Sequence, residues 1–381
     1  MNSHNEMSVK VTVVTDKKAM DTFIRIPWDI YKNDPNWVAP LIIERKEAFS
    51  PKNPYFEHAE WNTWIAWRGG KPVGRISAQV DELYQQQYDS KTGFFGLIEA
   101  IDDHEVFKAL FDAAEEWLRD RGIQQVTGPF NLSINQELGI LIDGFDSPPY
   151  VMTPHSLPYY GEAIEQCGYR PAQDLLAYEL NSGTLTIPRV MQALLRRSAK
   201  RVEVRPLRRK QKLADLEIMR SIFNDAWENN WNFVPFTRAE FAAVGKELLM
   251  LLPDEFIQIA ELDGEAVAFV VLIPNINEAI ADLNGRLFPF GWARLLWRLK
   301  VKSPKSARVA LMGVRQKHQN TRFGPALAYT VIKNVTDAGV ARGLERVEMS
   351  WVLEHNHATR HIIESIGGEI SKRYRMYEKD L

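Results

Sequence analysis

Cysteine is almost absent. Cys167 stands alone among 381 residues, which excludes an intramolecular disulfide and fits a reducing compartment. Nothing approaches the ~18 consecutive apolar residues of a membrane span. The opening residues His4, Asn5 and Glu6 have no apolar core, so no secretory signal is expected. Metal-ligand spacing is equally scarce. No His-Glu-x-x-His occurs, and the one suggestive set, His355, His357 and His361, has no cysteine beside it. Polar residues at a helix start are the plainer account, and no metal is expected. Without helix-turn-helix or zinc spacing, no nucleic-acid partner is expected either.

Acidic residues are missing from one long stretch. From Leu283 to Thr336 there is none, while eleven bases fall there, from Arg286 through Arg294, Arg298, Lys300 and Lys302 to Lys333. The formal net charge of −2 conceals this asymmetry. A field of one sign over that length attracts a polyanion, whether the phosphates of a nucleotide substrate, an anionic lipid surface or a nucleic acid. Otherwise the composition, 45% apolar and 25% charged, is ordinary for a globular chain.

What the chain does have is a second copy of itself. Asn36-Trp37-Val38-Ala39-Pro40 returns around Asn230-Trp231, and the turn Gly69-Gly70-Lys71 returns as Asp263-Gly264-Glu265, both 194 residues on. Arg121-Gly122-Ile123 returns as Arg342-Gly343-Leu344 at an offset of 221, and Gly168 as Gly367 at 199. Two copies of one unit fit, with about 27 residues added to the second copy and about 22 to the first. The expected division is 1–182, a basic linker helix within 183–200, and 201–381. Each copy reads as a strand, helices, an antiparallel hairpin and a further strand, then helix, strand, helix and strand, which is an α/β class with a mixed sheet. In the first copy these runs include a helix from Asp16 to Tyr31, strands Trp61–Arg68, Pro72–Val80 and Gly93–Ala100, and the amphipathic helix Glu105–Asp120 capped by Asp103.

The copies differ where the fourth strand meets its helix. In the second copy, Asn320-Thr321-Arg322-Phe323-Gly324-Pro325-Ala326 joins the strand ending at Val314 to a helix. Glycine there lets backbone amides approach an anion, the helix start adds unpaired N–H groups, and Pro325 suits a first helical turn. The first copy instead passes through Asp102-Asp103 straight into its helix. Two carboxylates repel a phosphate, so the anion site is expected in the second copy only.

Together with Asn356 and Gly367, this order resembles the GNAT acyltransferases, whose acyl-CoA pyrophosphate sits on a Q/R-x-x-G-x-G/A turn. Gly324 and Ala326 fill its last two defined positions, while Thr321 stands where glutamine or arginine is usual and Arg322 follows it. The stretches Pro35–Pro40, Asn53-Pro54-Tyr55-Phe56, Gly74-Arg75-Ile76, Pro158-Tyr159-Tyr160 and Trp227–Pro235 are similar to those of a bacterial family that includes ceramide synthases of GNAT type. The resemblance implies two tandem GNAT-like domains, the first degenerate, and no permanently bound cofactor. It implies acyl-CoA, or an acyl carrier protein thioester, as co-substrate, held by Val314, Thr321, Arg322, Phe323, Gly324, Pro325, Ala326 and Asn356. It further implies an amide-forming enzyme acting on a lipid amine. The tyrosine donor expected seven residues after Asn356 is replaced by Ile363. Tyr374 and Tyr377 are the substitutes, and Glu354 or His355 the base that takes the ammonium proton; a solvated loop carboxylate is the alternative for Glu354.

Two segments remain. The addition around Pro274–Lys302 sets Trp292, Leu295, Leu296 and Leu299 at helical spacing among Arg294, Arg298 and Lys300. Such a helix packs on its own domain, lies in an anionic bilayer interface or covers a lipid chain. A cytoplasmic chain is therefore expected, with peripheral contact on the inner membrane face. The long loop Asn131–Pro154, with Asn135 and then His155, is expected to line an acceptor pocket between the domains, facing Trp227, Asn230 and Trp231; plain surface coverage is the alternative. Competing functions are a non-catalytic acyl-CoA or lipid sensor of the same fold and a tandem transferase using aminoacyl-tRNA. The absence of any His-x-x-x-x-Asp argues against a histidine-dependent glycerolipid acyltransferase.

Overall fold

Local sequence and observed structure agree closely along most of the chain. The computed structural model describes residues 8–184, 188–189, 192–193, 196, 201–319, 321 and 323–381. Most of the expected linker helix Pro188–Lys200, and all of Arg322, lie outside the described residues. The chain packs as two compact units, Met1–Leu175 with Ile280–Leu287 and Lys372–Leu381, and Leu176–Ala279 with Phe288–Ser371.

In the first unit the strands are β1 (Lys10–Val13), β2 (Ala59–Arg68), β3 (Lys71–Asp81), β4 (Thr92–Ala100) and β5 (Gln125–Gly128), then the short β6 (Phe130–Asn131), β7 (Glu137–Leu138) and β8 (Ile140–Asp143). β9 (Arg170–Asn181) begins here. The main order is β1-β2-β3-β4-β5, antiparallel except for the parallel pair β4–β5. Side chains alternate across these strands, so the sheet carries a core on each face. Ile65 and Leu97 pack with Phe23, Ile24 and Ile26 of helix α1 (Lys17–Ile30), and α2 (Ile42–Ala48) follows that helix. Trp64, Ile76 and Phe95 pack with Phe107, Leu110 and Phe111. Those three belong to α4 (His104–Arg119), which follows α3 (Glu82–Tyr88). Ile164 of α5 (Tyr160–Gln166) joins the same core.

The second unit repeats the plan. β10 (Val202–Pro206), β11 (Ile257–Leu262), β12 (Glu265–Pro274), β13 (Ser306–Val314) and β14 (Arg346–Leu353) are adjacent in that order, with β13–β14 the parallel pair. Its helices are α6 (Lys212–Trp227), α7 (Arg238–Leu251), α8 (Ile276–Ile280), α9 (Gly291–Trp297), α10 (Gln316–Gln319), α11 (Phe323–Ala341) and α12 (His357–Ser365). The hairpin turns that signalled the repeat have one geometry: Gly69 and Gly70 at φ 55° and 74°, Asp263 and Gly264 at 52° and 86°. Positive φ at both central residues matches the twist of the flanking strands.

The units depart from the expected divisions at residues 182 and 201 because of the last strand of each repeat. The strand beside β5 in the first unit is β15 (Glu369–Asp380), the end of the chain, in antiparallel register Tyr377↔Gly128. The strand beside β14 in the second unit is β9. β-strand pairing recruits whichever segment meets an open edge, irrespective of sequence distance.

Candidate active site

In the second unit, β13 and β14 pair only from Ser306↔Arg346 to Val309↔Met349. Both strands continue beyond, to Val314 and Leu353. Their separation begins where β13 also breaks register with β12: Val271 faces Leu311 and Leu272 faces Val309, leaving Ala310 as the extra residue. A bulge bends its strand and strengthens the local twist, which opens the parallel pair into a split. Ala310, Leu311 and Met312 are half-buried along it.

At the closed end of the split stands the cross-strand pair Arg308↔Glu348, both fully buried. Ser350 Oγ donates to Glu348 Oε1 at 2.6 Å and accepts from Arg308 Nε at 2.8 Å. The guanidinium lies 4.4 Å over the Trp351 ring. Buried charges persist only when paired and hydrogen-bonded in this way.

At the open end, the chain turns through α10 into α11. Gly324 sits where an added Cβ would meet the His318 carbonyl oxygen at 2.5 Å and that of Gln319 at 2.6 Å. Only glycine allows this approach. The turn is held by Thr321 N–H donating to His318 O (3.0 Å) and Gly324 N–H to Thr321 O (3.1 Å). The Gln319 amide donates to Val314 O (2.8 Å) and Ala226 O (3.1 Å), and Gln316 N–H to Asp225 Oδ2 (2.7 Å). Pro325 falls in the first turn of α11, where its missing N–H costs nothing. Sequence reading set Thr321 in the first motif position. Moving the register back by two puts Gln319 first and Gly324 last, and it is the Gln319 side chain that ties the loop to β13.

The same place in the first unit is filled by its own chain. β4 and β5 pair over Thr92–Phe94, after which β4 breaks register between Gly96 and Glu99. β6 lies against that break. A Cβ on Gly96 would come within 1.9 Å of Phe130 O. Asn131 Oδ1 accepts the Leu97 N–H at 2.8 Å, and Gln79 Nε2 donates to Phe130 O and Leu132 O at 2.7 and 3.0 Å. The start of α4 is capped by Asp103, which accepts from Glu105 N–H at 3.0 Å. Arg68 bonds both Asp103 and Glu105 and, chiefly by that hydrogen bond, holds the Asp103 carboxyl below the usual range. A phosphate would meet an end already occupied by carboxylate.

A second polar cluster lies inside the first unit. Tyr31 and Tyr160 each donate to Glu99 Oε2 at 2.7 Å, and Arg75 stands 3.8 Å from its other oxygen. Burial pushes the Glu99 carboxyl up, against the opposing pull of Arg75 and the tyrosines. His155 is buried with Nε2 2.7 Å from Asp34 Oδ2, and burial lowers its basicity despite that carboxylate. These bonds tie α1 to β4 and to the segment after β8; His155, expected in an acceptor pocket, stands here against Asp34, while Glu99 and Asp34 carry no signal in the sequence.

The expected site residues divide accordingly. Val314, Gly324, Pro325, Ala326, Phe323 and Thr321 come together around the turn into α11. Glu354, half-buried, and His355, exposed, follow the end of β14. Asn356 is the N-cap of α12, accepting from Thr359 N–H at 3.1 Å. Trp227 does not present its indole N–H outward; it donates to Met312 O at 2.9 Å while the ring stacks on Phe223, bracing β13. Asn230 and Trp231 are half-buried in the following turn. Asn135 is half-buried beyond β6, its N–H on Ser133 Oγ. Tyr374 and Tyr377 correct the expectation most sharply. Both are fully buried in the first unit, Tyr377 within its core, because β15 joins that sheet. Burial raises the Tyr377 hydroxyl well above its ordinary value, and neither stands in the unit that holds Gly324.

The acid-free stretch is also less uniform than its sequence. Lys305, Lys317 and Lys333 pair with Glu345, Glu265 and Asp337, and Arg315 donates to Ala266 O and Ser221 Oγ. No helix among the described residues is long and apolar enough to cross a membrane.

Comparison with known proteins agrees with this geometry. Residues 216–367 match the acetyltransferase (GNAT) family. The chain is 48% identical over 371 residues to Protein YghO of Escherichia coli (strain K12), covering 97% of this chain and 95% of that one. It is 46% identical over 376 residues to a bacterial ceramide synthase of Caulobacter vibrioides (strain NA1000 / CB15N), covering 98% of both. A tandem GNAT protein from the clavulanic acid biosynthesis pathway shares the fold, with a TM-score of 0.54 at 11% identity and 98% coverage of both chains.

Proposed function

The chain belongs to the GNAT family of N-acyltransferases, and from that premise we propose that it transfers a long acyl chain from acyl-CoA to the primary amine of a lipid, a sphingoid base in the first instance. The observation that carries the assignment of the thioester to the second unit is the open split between β13 and β14, set against the filled one between β4 and β5. Past Val309 and Met349 the facing backbone edges no longer serve each other, and a ligand with amides of its own can pair with such an edge. The pantetheine arm of CoA is such a ligand. Its pyrophosphate then falls to the glycine turn and the start of α11. The lipid acceptor is supported by the full-length likeness to the Caulobacter enzyme. The site of action is the inner face of a membrane, where a lipid amine and a long-chain thioester meet.

In the reaction the amine nitrogen attacks the thioester carbonyl, a C–N bond forms and the C–S bond breaks. Glu354, with His355 as the second candidate, takes the proton that the ammonium must lose. In this reading a backbone N–H along β13 beyond Val309, where its pairing with β14 has ended, stabilises the oxyanion. With Tyr374 and Tyr377 in the first unit's core and a buried Ile363 where the family's tyrosine stands, the departing thiolate takes its proton from water.

Mass-spectrometric product detection tests the reading, with acetyl-CoA and palmitoyl-CoA each offered with a sphingoid base and with simple amines. Amide from the long donor and the lipid amine, lost in Gly324→Glu, supports it. Acetyl transfer to small amines alone overturns the lipid acceptor. Tight thioester binding without product from any pair favours the sensor.

A further inference from the structure

The insertion of the second repeat was expected to pack on its own domain, to lie on a membrane or to cover a lipid chain, and most of its large apolar side chains stand exposed. Of the fifteen large apolar side chains that stand exposed among the described residues, six fall between Phe288 and Val301. Phe288 is 75% exposed, Phe290 73%, Val301 68% and Trp297 56%, with Trp292 and Leu296 near half. No residue of α9, or of the helical turn Arg298–Lys302 that continues it, is buried. Leu295 and Leu299 are half-buried beneath it, Arg298 donates to Ala279 O at 2.8 Å, and the Trp292 indole donates to Pro289 O within the segment at 3.1 Å. Apolar patches of this density mark an interaction surface.

The charge on the patch says what covers it. Arg294, Lys300 and Lys302 are exposed among the aromatic residues, and no acidic residue occurs from Leu283 to Thr336. The cores of protein–protein interfaces are depleted of lysine, which disfavours a second copy of the chain. Aromatic and aliphatic side chains interleaved with bases suit the boundary between headgroups and acyl chains, where the rings enter and the cations meet anionic lipid.

We propose that Phe288–Lys302 docks the protein on an anionic lipid bilayer, with Phe288, Phe290, Trp292 and Trp297 entering the headgroup boundary and Arg294, Lys300 and Lys302 meeting the phosphates. This deepens the membrane-side reading of the function and does not depend on which amine is acylated. The contact is reversible, since one short amphipathic segment without a lipid anchor gives no permanent attachment.

Co-sedimentation of the full chain with phosphatidylglycerol–phosphatidylcholine vesicles, against phosphatidylcholine alone, tests it. Binding is expected to the anionic vesicles only and to weaken with salt. The pair Lys300→Glu and Lys302→Glu is expected to lower the affinity about fivefold or more per base. The triple variant Phe288→Ser, Phe290→Ser, Trp297→Ser is expected to abolish binding while CoA affinity stays at the wild-type value. Absence of wild-type binding to anionic vesicles overturns the proposal, as does wild-type binding by both variants. So does a wild-type dimer that the triple variant dissolves with vesicle binding untouched. Should the triple variant misfold, the charge-reversal pair decides. Amide formation on a dispersed lipid amine is measured separately, so failure of the acceptor reading and failure of docking are told apart.

Discussion

Gly324→Ala is the substitution whose sign the structure determines most directly. In an ordinary helix, replacing glycine by alanine gains up to about 1 kcal/mol. Here the new Cβ would lie 2.5 Å from His318 O and 2.6 Å from Gln319 O, where ordinary contact begins at 3.4 Å. Both atoms are backbone, so relief requires the α10–α11 turn to open by about 0.9 Å, an overpacking cost of about 1–3 kcal/mol. Opening also pulls on the bonds from Thr321 N–H and Gly324 N–H that shape the turn. Losing one charge-assisted amide–phosphate bond costs about 1.5–3 kcal/mol, so CoA affinity is expected to fall roughly 10-fold to 100-fold. Gly343→Ala is the control: Gly343 has φ 86° and nothing within 4 Å, so alanine there strains the backbone by about 1–2 kcal/mol without touching the site. Urea unfolding and calorimetric CoA titration of both variants read the two effects apart. A Gly324→Ala protein as stable as wild type with unchanged CoA affinity would refute both the packing argument and the placement of the phosphates.

Three further outcomes follow from the same geometry. Glu348→Ala strands the buried Arg308 charge, at a cost of about 3–5 kcal/mol, whereas the double replacement Arg308→Met with Glu348→Leu recovers most of it; thermal unfolding of the three proteins checks this, and equal losses for single and double variants would contradict it. Glu99 has a raised carboxyl pKa, from burial and against Arg75. The folded state therefore holds a proton that the unfolded chain releases near pH ~4.3, and Glu99's contribution is full below that pH and lost as pH rises through the folded value. Glu99→Gln, which does not titrate, should gain stability relative to wild type across that window and then level off, and urea unfolding at a series of pH values measures the difference. Asn131→Ala removes the acceptor of the Leu97 N–H and should cost about 1–3 kcal/mol while calorimetry still finds one CoA per chain; a second CoA site would show that the filled split is all that keeps the first unit from binding.

Much of this protein is written locally in its sequence. The amphipathic run Glu105–Asp120 became α4 at His104–Arg119 with Asp103 as its cap, because helical period and capping involve only near neighbours. The hairpins at Gly69-Gly70 and Asp263-Gly264 followed from turn chemistry for the same reason. The lack of a glycine turn before α4 and its presence before α11 were likewise legible, and the duplication made the contrast visible. α2, α3 and the β6–β7 pair were not foreseen, being too short to show a period.

Other decisions belonged to the tertiary structure alone. Which edge β15 would join could not be read from its residues, since its partner Gly128 in the Tyr377 register lies some 250 positions away; that choice took Tyr374 and Tyr377 out of the catalytic set. Nor does the sequence show that the Trp227 indole donates to Met312 O or that the Asn131 side chain accepts the Leu97 N–H, since both partners are distant along the chain. The sequence by itself determined the elements, their repetition and which copy carries a glycine turn before its helix, because those depend on neighbours along the backbone. The strand pairings, the filling of one split and the opening of the other were decided only when distant segments competed for the same edges and N–H groups, which is a property of the folded chain.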